Sequence, residues 1–203
     1  MAADGCIPTK FVNMSENSFY FEDAETDWDE DTYQLSNKHC KHLIRSKDNK
    51  CLLLNDDSKF QAENLTKSQQ THPECQFNIR RYNNSNMDQS NKRAVMLYAV
   101  IDGKKMVACC SEKHEIDPEA MELPDKIEET AHKALFYLIP LTGQTNKFMF
   151  ESSLYPSKFL GFEPIESNPS LNKLVLRHKV DQVDESCEVS LSDCNASQHT
   201  ICL

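Results

Sequence analysis

The stretch Trp28-Asp29-Glu30-Asp31, followed by Thr32, carries the clearest chemistry in the chain. A caspase-type protease grips the aspartate before its cut through arginines, whose planar fork matches a carboxylate in two hydrogen bonds. A large hydrophobic residue three places earlier suits the inflammatory members of that protease group, and Trp28 is the only tryptophan present. Asp31 is therefore read as the residue before a cut, and Thr32 as the first residue of the product. A second cluster, His39-Cys40-Lys41-His42, has metal-binding side-chain types. On a strand, however, His39 and Cys40 face opposite ways, and no other cluster completes four ligands, so it reads as a solvated basic strand. There is no GxSxG, HExxH, P-loop or Gly-rich dinucleotide turn. No catalytic set and no cofactor are expected, and function must come from surface.

Charge is distributed in blocks. The net charge is −10, yet residues 1–31 hold nine carboxylates and one lysine, a balance of −8. Residues 32–203 hold 23 acids and 21 bases, a balance of −2. Seven of the nine early acids lie between Glu22 and Asp31, which describes either a solvated segment or a removable leader. Directly after it, Lys38, Lys41, Arg45, Lys47 and Lys50 fall within thirteen residues. The leader is expected to cover this patch in a precursor. Exposed ion pairs contribute only about 0–1 kcal/mol each, so the patch Phe19-Tyr20-Phe21 would have to help as an apolar anchor.

Length and composition fit one soluble domain with extensions: 203 residues, 39% hydrophobic and 27% charged. The longest apolar run, Ala94 to Ile101, is far short of the roughly twenty residues that cross a bilayer. Residues 1–20 carry Asp4, Asn13, Ser15, Glu16 and Asn17 where a signal peptide needs an apolar core. A cytosolic precursor is expected, without membrane insertion and secreted by a route that uses no signal peptide. Nine cysteines then read as free thiols, with the adjacent Cys109 and Cys110 on opposite faces of a strand. The N-x-S/T sites at Asn13, Asn64, Asn83 and Asn195 are expected to stay unmodified.

The elements that would position these residues are strands. Cys40–Ser46 and Lys50–Leu54 flank a turn at Lys47-Asp48-Asn49. Gln76–Tyr82, Lys92–Ile101 and Lys104–Ser111 follow, the last two joined by Asp102-Gly103, a strong hairpin signal because both positions tolerate positive φ. Pro124–Lys133 suits a short helix or turn, with acids early and Lys133 late. Ala134–Ile139, Leu171–Arg177 and Ser186–Leu191 are further strands. In Lys147–Phe162, Phe148 and Phe150 alternate with Met149 and Glu151, and a turn holding Ser152, Ser153, Pro156 and Ser157 leads to Phe159 and Leu160. About a dozen short strands and only four glycines indicate an all-β domain, either two packed sheets or a closed barrel.

The pattern Phe150-x-Ser152-Ser153-x-x-Pro156-x-x-Phe159-Leu160 resembles that of the interleukin-1 superfamily. Asn146-Lys147, Tyr155, Met121, Pro124-Asp125, Ile127, Lys173-Leu174 and Leu176 extend the resemblance. In the amino-terminal part, Tyr20-Phe21, the acidic run, Asp31, Ile44-Arg45, Glu63 and Thr66 do the same, so that it covers nearly all of residues 6–191. The resemblance implies a β-trefoil of twelve strands in three lobes, six closing a barrel and six capping it. It implies three segments: an acidic propeptide over 1–31, the trefoil over 32–191, and a flexible extension over 192–203.

It further implies a monomeric, secreted pro-inflammatory cytokine, cut by an inflammatory caspase after Asp31. The product would bind the alpha and beta chains of an immunoglobulin-like receptor with cytosolic TIR domains and induce interferon-γ, and a soluble binding protein would be a further partner. Arg45 matches a receptor-contact arginine of that family. Lys38, Lys41, Asn49, Glu63 and Lys67 complete the expected receptor-binding set. Nucleic acid and heparin-like polyanions are disfavoured as partners, because residues 32–203 are slightly acidic. The alternative is a nuclear or cytosolic interaction module of the same superfamily, released as an alarm signal without cleavage.

Overall fold

The computed structural model describes residues 9–15, 18–23, 41–82, 92–127, 131–178 and 185–194. The chain divides into two units, Met1–Leu35 and Ser36–Leu203. In the first, β1 (Thr9–Ser15) and β2 (Ser18–Asp23) form an antiparallel hairpin that pairs Phe11 with Phe21 and Met14 with Phe19, with a bulge between Phe11 and Asn13. The cleavage residues Trp28, Asp31 and Thr32, together with Lys38, His39 and Cys40, lie outside the described residues. So do Asn83, Asn195 and positions 195–203.

The second unit holds twelve strands in three runs of four. The first run is β3 (Lys41–Ser46), β4 (Cys51–Leu54), β5 (Phe60–Glu63) and β6 (Phe77–Tyr82). The second is β7 (Arg93–Ile101), β8 (Lys104–Cys110), β9 (Ile116–Ala120) and β10 (Phe136–Pro140). The third is β11 (Lys147–Ser152), β12 (Lys158–Ile165), β13 (Asn168–His178) and β14 (Val189–Asp193). The outer strands of each run pair in the ring β3–β6–β7–β10–β11–β14 and back to β3. The inner strands form the hairpins β4–β5, β8–β9 and β12–β13. Six strands closed into a barrel and three capping hairpins make a β-trefoil, which resolves the choice between sandwich and barrel. Closure removes the sheet edges that an open arrangement would expose.

The pattern of side chains follows from this ring. On β11, Phe148, Phe150 and Ser152 are buried while Lys147, Met149 and Glu151 are half-exposed. Phe150 joins Ile44, Leu52, Phe77, Val95, Leu97, Phe136 and Leu160 in the main core. Fully burying one such side chain is worth about 1.5–3 kcal/mol. The long apolar run on β7 has a separate cause. Val95, Leu97 and Ala99 enter the main core, while Ala94, Met96 and Tyr98 meet Val107, Cys109, Leu123 and Leu135 in a second cluster. A strand covered on both faces loses its polar alternation. Cys110 belongs to the main core and Cys109 to the second cluster, so the adjacent thiols do take opposite faces. Burial pushes Cys109 up to about 12 and both Cys75 and Cys110 up to about 11. The six cysteines among the described residues are in no disulfide.

Turns complete the picture. Asp102 and Gly103 both have positive φ, 49° and 76°, as their hairpin requires. Asn49, at the tip of the β3–β4 turn, has φ 62° and donates its N–H to Ser46 O at 2.9 Å. A Cβ on Gly161 would lie 2.9 Å from Arg177 Cδ and 3.2 Å from the Ser186 carbonyl oxygen, so close packing fixes the glycine there. The described residues of Pro124–Lys133 contain a bend and no helix. Tyr82 and Arg80 hold that segment from β6, through Tyr82 Oη to Pro124 O at 2.9 Å and Arg80 Nη2 to Asp125 Oδ1 at 2.9 Å.

Candidate functional site

The cations of β3 share one face of one strand. His42, Ile44 and Ser46 are buried, whereas Lys41 is exposed and Arg45 half-exposed. Four residues along a strand span about 13 Å. β3 lies between β14 and β6 in the barrel, and across its other end it meets the first capping hairpin. There Arg45 pairs with Cys51, and Cys51 with Glu63, which puts Arg45 and Glu63 in one line across three strands, about 10 Å apart. Glu63 accepts from Gln61 Nε2 at 3.0 Å.

Neutral oxygens hold these cations. Arg45 donates from Nη1 to Ser192 Oγ at 2.5 Å and from Nη2 to Gln70 Oε1 at 3.2 Å. Lys41 Nζ donates to Gln76 Oε1 at 3.1 Å. Lys50 Nζ donates to Asn172 Oδ1 at 2.8 Å. Elsewhere on the domain lysines meet carboxylates: Lys92 with Glu151, Lys105 with Glu122, Lys133 with Glu119 and Lys147 with Glu188. Lys47 belongs with these, since its ammonium is 2.5 Å from Glu185 Oε2; that bond raises the lysine pKa and lowers that of the glutamate. Among the described residues, Lys41, Arg45 and Lys50 meet neutral oxygens and form no ion pair with a carboxylate. Lys41 and Arg45, an ordered cation row on one face of β3, suit an acidic surface.

The expected contact residues therefore separate into groups. Lys41, Arg45 and Glu63 share one face by register. Asn49 sits at the turn tip, where left-handed backbone explains its residue type. Lys67 is exposed on the connection between β5 and β6, three residues before Gln70. Gln70, Gln76 and Ser192 were not expected from sequence. They approach β3 from 25, 35 and 147 positions away, and no local pattern announces such contacts. β14 continues to Asp193, so the last barrel strand takes in position 192 and passes the expected boundary at 191.

Beneath the row, β3 and β14 are joined by a buried pair. His42 Nδ1 lies 2.8 Å from Asp193 Oδ1, and the two residues stand opposite in register. Burial holds the His42 pKa below its ordinary value; the Asp193 carboxylate pulls it up, and the charge of Arg81 pushes it down. Among the described residues, no three His, Cys, Asp or Glu side chains are grouped as a metal site would need, and no helix is long and apolar enough to cross a membrane.

Comparison with known proteins gives a consistent result. Residues 66–185 match the family model described as Interleukin-1 / 18. The chain is 26% identical over 199 residues to interleukin-18 of Mus musculus, covering 97% of this chain and 98% of the mouse protein. With interleukin-18 of Canis lupus familiaris it shares 27% over 185 residues, covering 90% and 92% of the two chains. Among solved structures, chicken interleukin-1 beta superposes with a TM-score of 0.51 at 19% identity, over 76% of this chain and 98% of that one. At that identity the superposition speaks for the fold alone.

Proposed function

The chain belongs to the interleukin-1/18 family and is a cytokine of that family; on this premise we propose that it is made as a precursor and activated by an inflammatory caspase cutting after Asp31. The product beginning at Thr32 leaves the cell without a signal peptide. It then binds the alpha and beta chains of an interleukin-18-type receptor and induces interferon-γ. The single observation that carries this reading is the pair Lys41 and Arg45 on one face of β3, held by neutral oxygens and, among the described residues, in no ion pair with a carboxylate.

The mechanism is recognition. Fixed cations raise the encounter rate with an acidic patch, and a guanidinium that meets a carboxylate in two parallel bonds adds orientation. The test compares protein starting at Thr32 with the full chain for interferon-γ release from lymphocytes of the same species. Activity of the short form alone is expected. Equal activity of both forms would overturn activation by cleavage and favour an alarm signal released uncut. An Asp31→Ala precursor should resist the caspase, and its normal conversion would place the cut elsewhere.

A further inference from the structure

We propose that Gln70, Gln76 and Ser192 are positioning residues of the recognition surface, holding Arg45 and Lys41 in the pose that meets a carboxylate on the partner. The proposal rests on the reading of Arg45 as a contact and deepens it.

Both glutamines are set in the same way. Gln70 donates its amide nitrogen to the Leu65 carbonyl oxygen at 3.0 Å and turns its own oxygen to Arg45 at 3.2 Å. Gln76 donates its amide nitrogen to the Thr71 carbonyl oxygen at 3.1 Å and turns its oxygen to Lys41 at 3.1 Å. A side-chain amide anchored through its donor has no freedom to flip, so each oxygen has a fixed direction. The connection between β5 and β6 thus presents two oriented acceptors to two cations four residues apart on β3. Its two short 3-10 turns, Gln69–Thr71 and Pro73–Cys75, place them.

The opposite side of Arg45 is held by the end of β14. Ser192 takes the Nη1 bond, Asp193 reaches His42, and the Cys194 N–H donates to the Lys41 carbonyl oxygen at 2.8 Å. Three successive residues therefore grip three residues of β3. Among the described residues, two of the five guanidinium donors of Arg45 are used, both on neutral partners and one from each terminal nitrogen. Holding the side chain beforehand removes an ordering cost that binding would otherwise carry, and that cost is equivalent to about three- to tenfold in affinity.

The probe is the receptor alpha-chain ectodomain, immobilised, with the Thr32-starting protein passed over it at low and high salt. Ser192→Ala combined with Gln70→Leu keeps every charge. It is expected to raise the dissociation rate about three- to tenfold while leaving the association rate and its salt dependence unchanged. Ser192→Thr, which keeps the hydroxyl, should restore slow dissociation. Thermal unfolding of each variant shows whether the fold is intact, and Gln76→Leu, on an exposed bond, supplies a second reading should the double variant not fold. Three results would overturn the proposal. If Arg45→Ala weakens binding but neither Gln70→Leu with Ser192→Ala nor Gln76→Leu changes dissociation, positioning is refuted and the contact reading survives. A loss confined to the association rate would also refute it. If Arg45→Ala binds as the parent does, the contact reading falls, and the proposal with it.

Discussion

Two regions of this trefoil show opposite relations between sequence and role. The hairpin joining β11 and β12 carries the pattern by which the family is recognised, yet most of that pattern is inside. Phe150 and Leu160 are core residues, and Ser152 and Ser153 are only 1% and 7% exposed. Ser152 Oγ accepts the Tyr155 N–H at 3.1 Å and lies 3.5 Å from Cys110 Sγ. Ser153 Oγ accepts the His132 N–H at 3.1 Å and donates to the His132 carbonyl oxygen at 3.0 Å, which fastens the preceding connection to the barrel. The seam of β3 and β14 carries no comparable pattern, yet it orders surface cations, among them the guanidinium of Arg45. Identity is written where packing and buried hydrogen bonds leave few alternatives.

The comparison breaks most readily at Phe150. Phe150→Ala should cost about 3–5 kcal/mol of stability through the cavity it leaves, with the still-folded fraction binding receptor normally; chemical unfolding and a binding titration measure the two. Ser153→Ala comes next. It removes the acceptor of the His132 N–H and one of two donors to the His132 carbonyl oxygen, which keeps the Leu135 N–H, and should cost about 1–3 kcal/mol, again without altering the affinity of folded protein. If either variant lowered the affinity of folded protein, the hairpin would belong to the recognition surface after all.

Arg45→Glu tests the other side. Stability should change by about 1 kcal/mol or less. Association with the receptor should slow by about tenfold at low salt and lose most of its salt dependence. Unchanged association would leave the seam with no part in recognition.

The smallest effect sharpens the comparison through pH. Burial lowers the His42 pKa in the folded chain. Below the ordinary value of 6.5 the unfolded chain therefore takes up the proton more readily than the folded one. The contribution of His42 to stability is complete above that value and is lost as pH falls toward the folded pKa. Thermal midpoints should drop on acidification, and His42→Gln should make the drop shallower. An equally steep drop in the variant would remove His42 from the account.

Most of the barrel was legible because alternation is strong where one face is buried, as on β11, and because Asp102-Gly103 marks its turn. β5 and β9 were not anticipated. Their turns place Ser58 and His114, with φ 54° and 61°, where glycine would have been the signal. β9 itself reads Ile-Asp-Pro-Glu-Ala, a composition with little strand preference. At the site, Arg45 and Lys41 could be found from clustered charge. Their holders could not, since a glutamine amide becomes an anchor only when a distant loop folds against the strand. The Asp31 cut and Lys38 lie outside the described residues.

Ring closure also sets a schedule for synthesis. The ring closes only when the first barrel strand meets the last, Lys41–Ser46 against Val189–Asp193, so a nascent chain cannot complete it before Asp193 has been made. Joining segments so far apart in sequence is slow, and apolar strands remain uncovered until translation has passed Asp193. A truncation that removes β14 would therefore leave an open, association-prone sheet in place of a shorter cytokine.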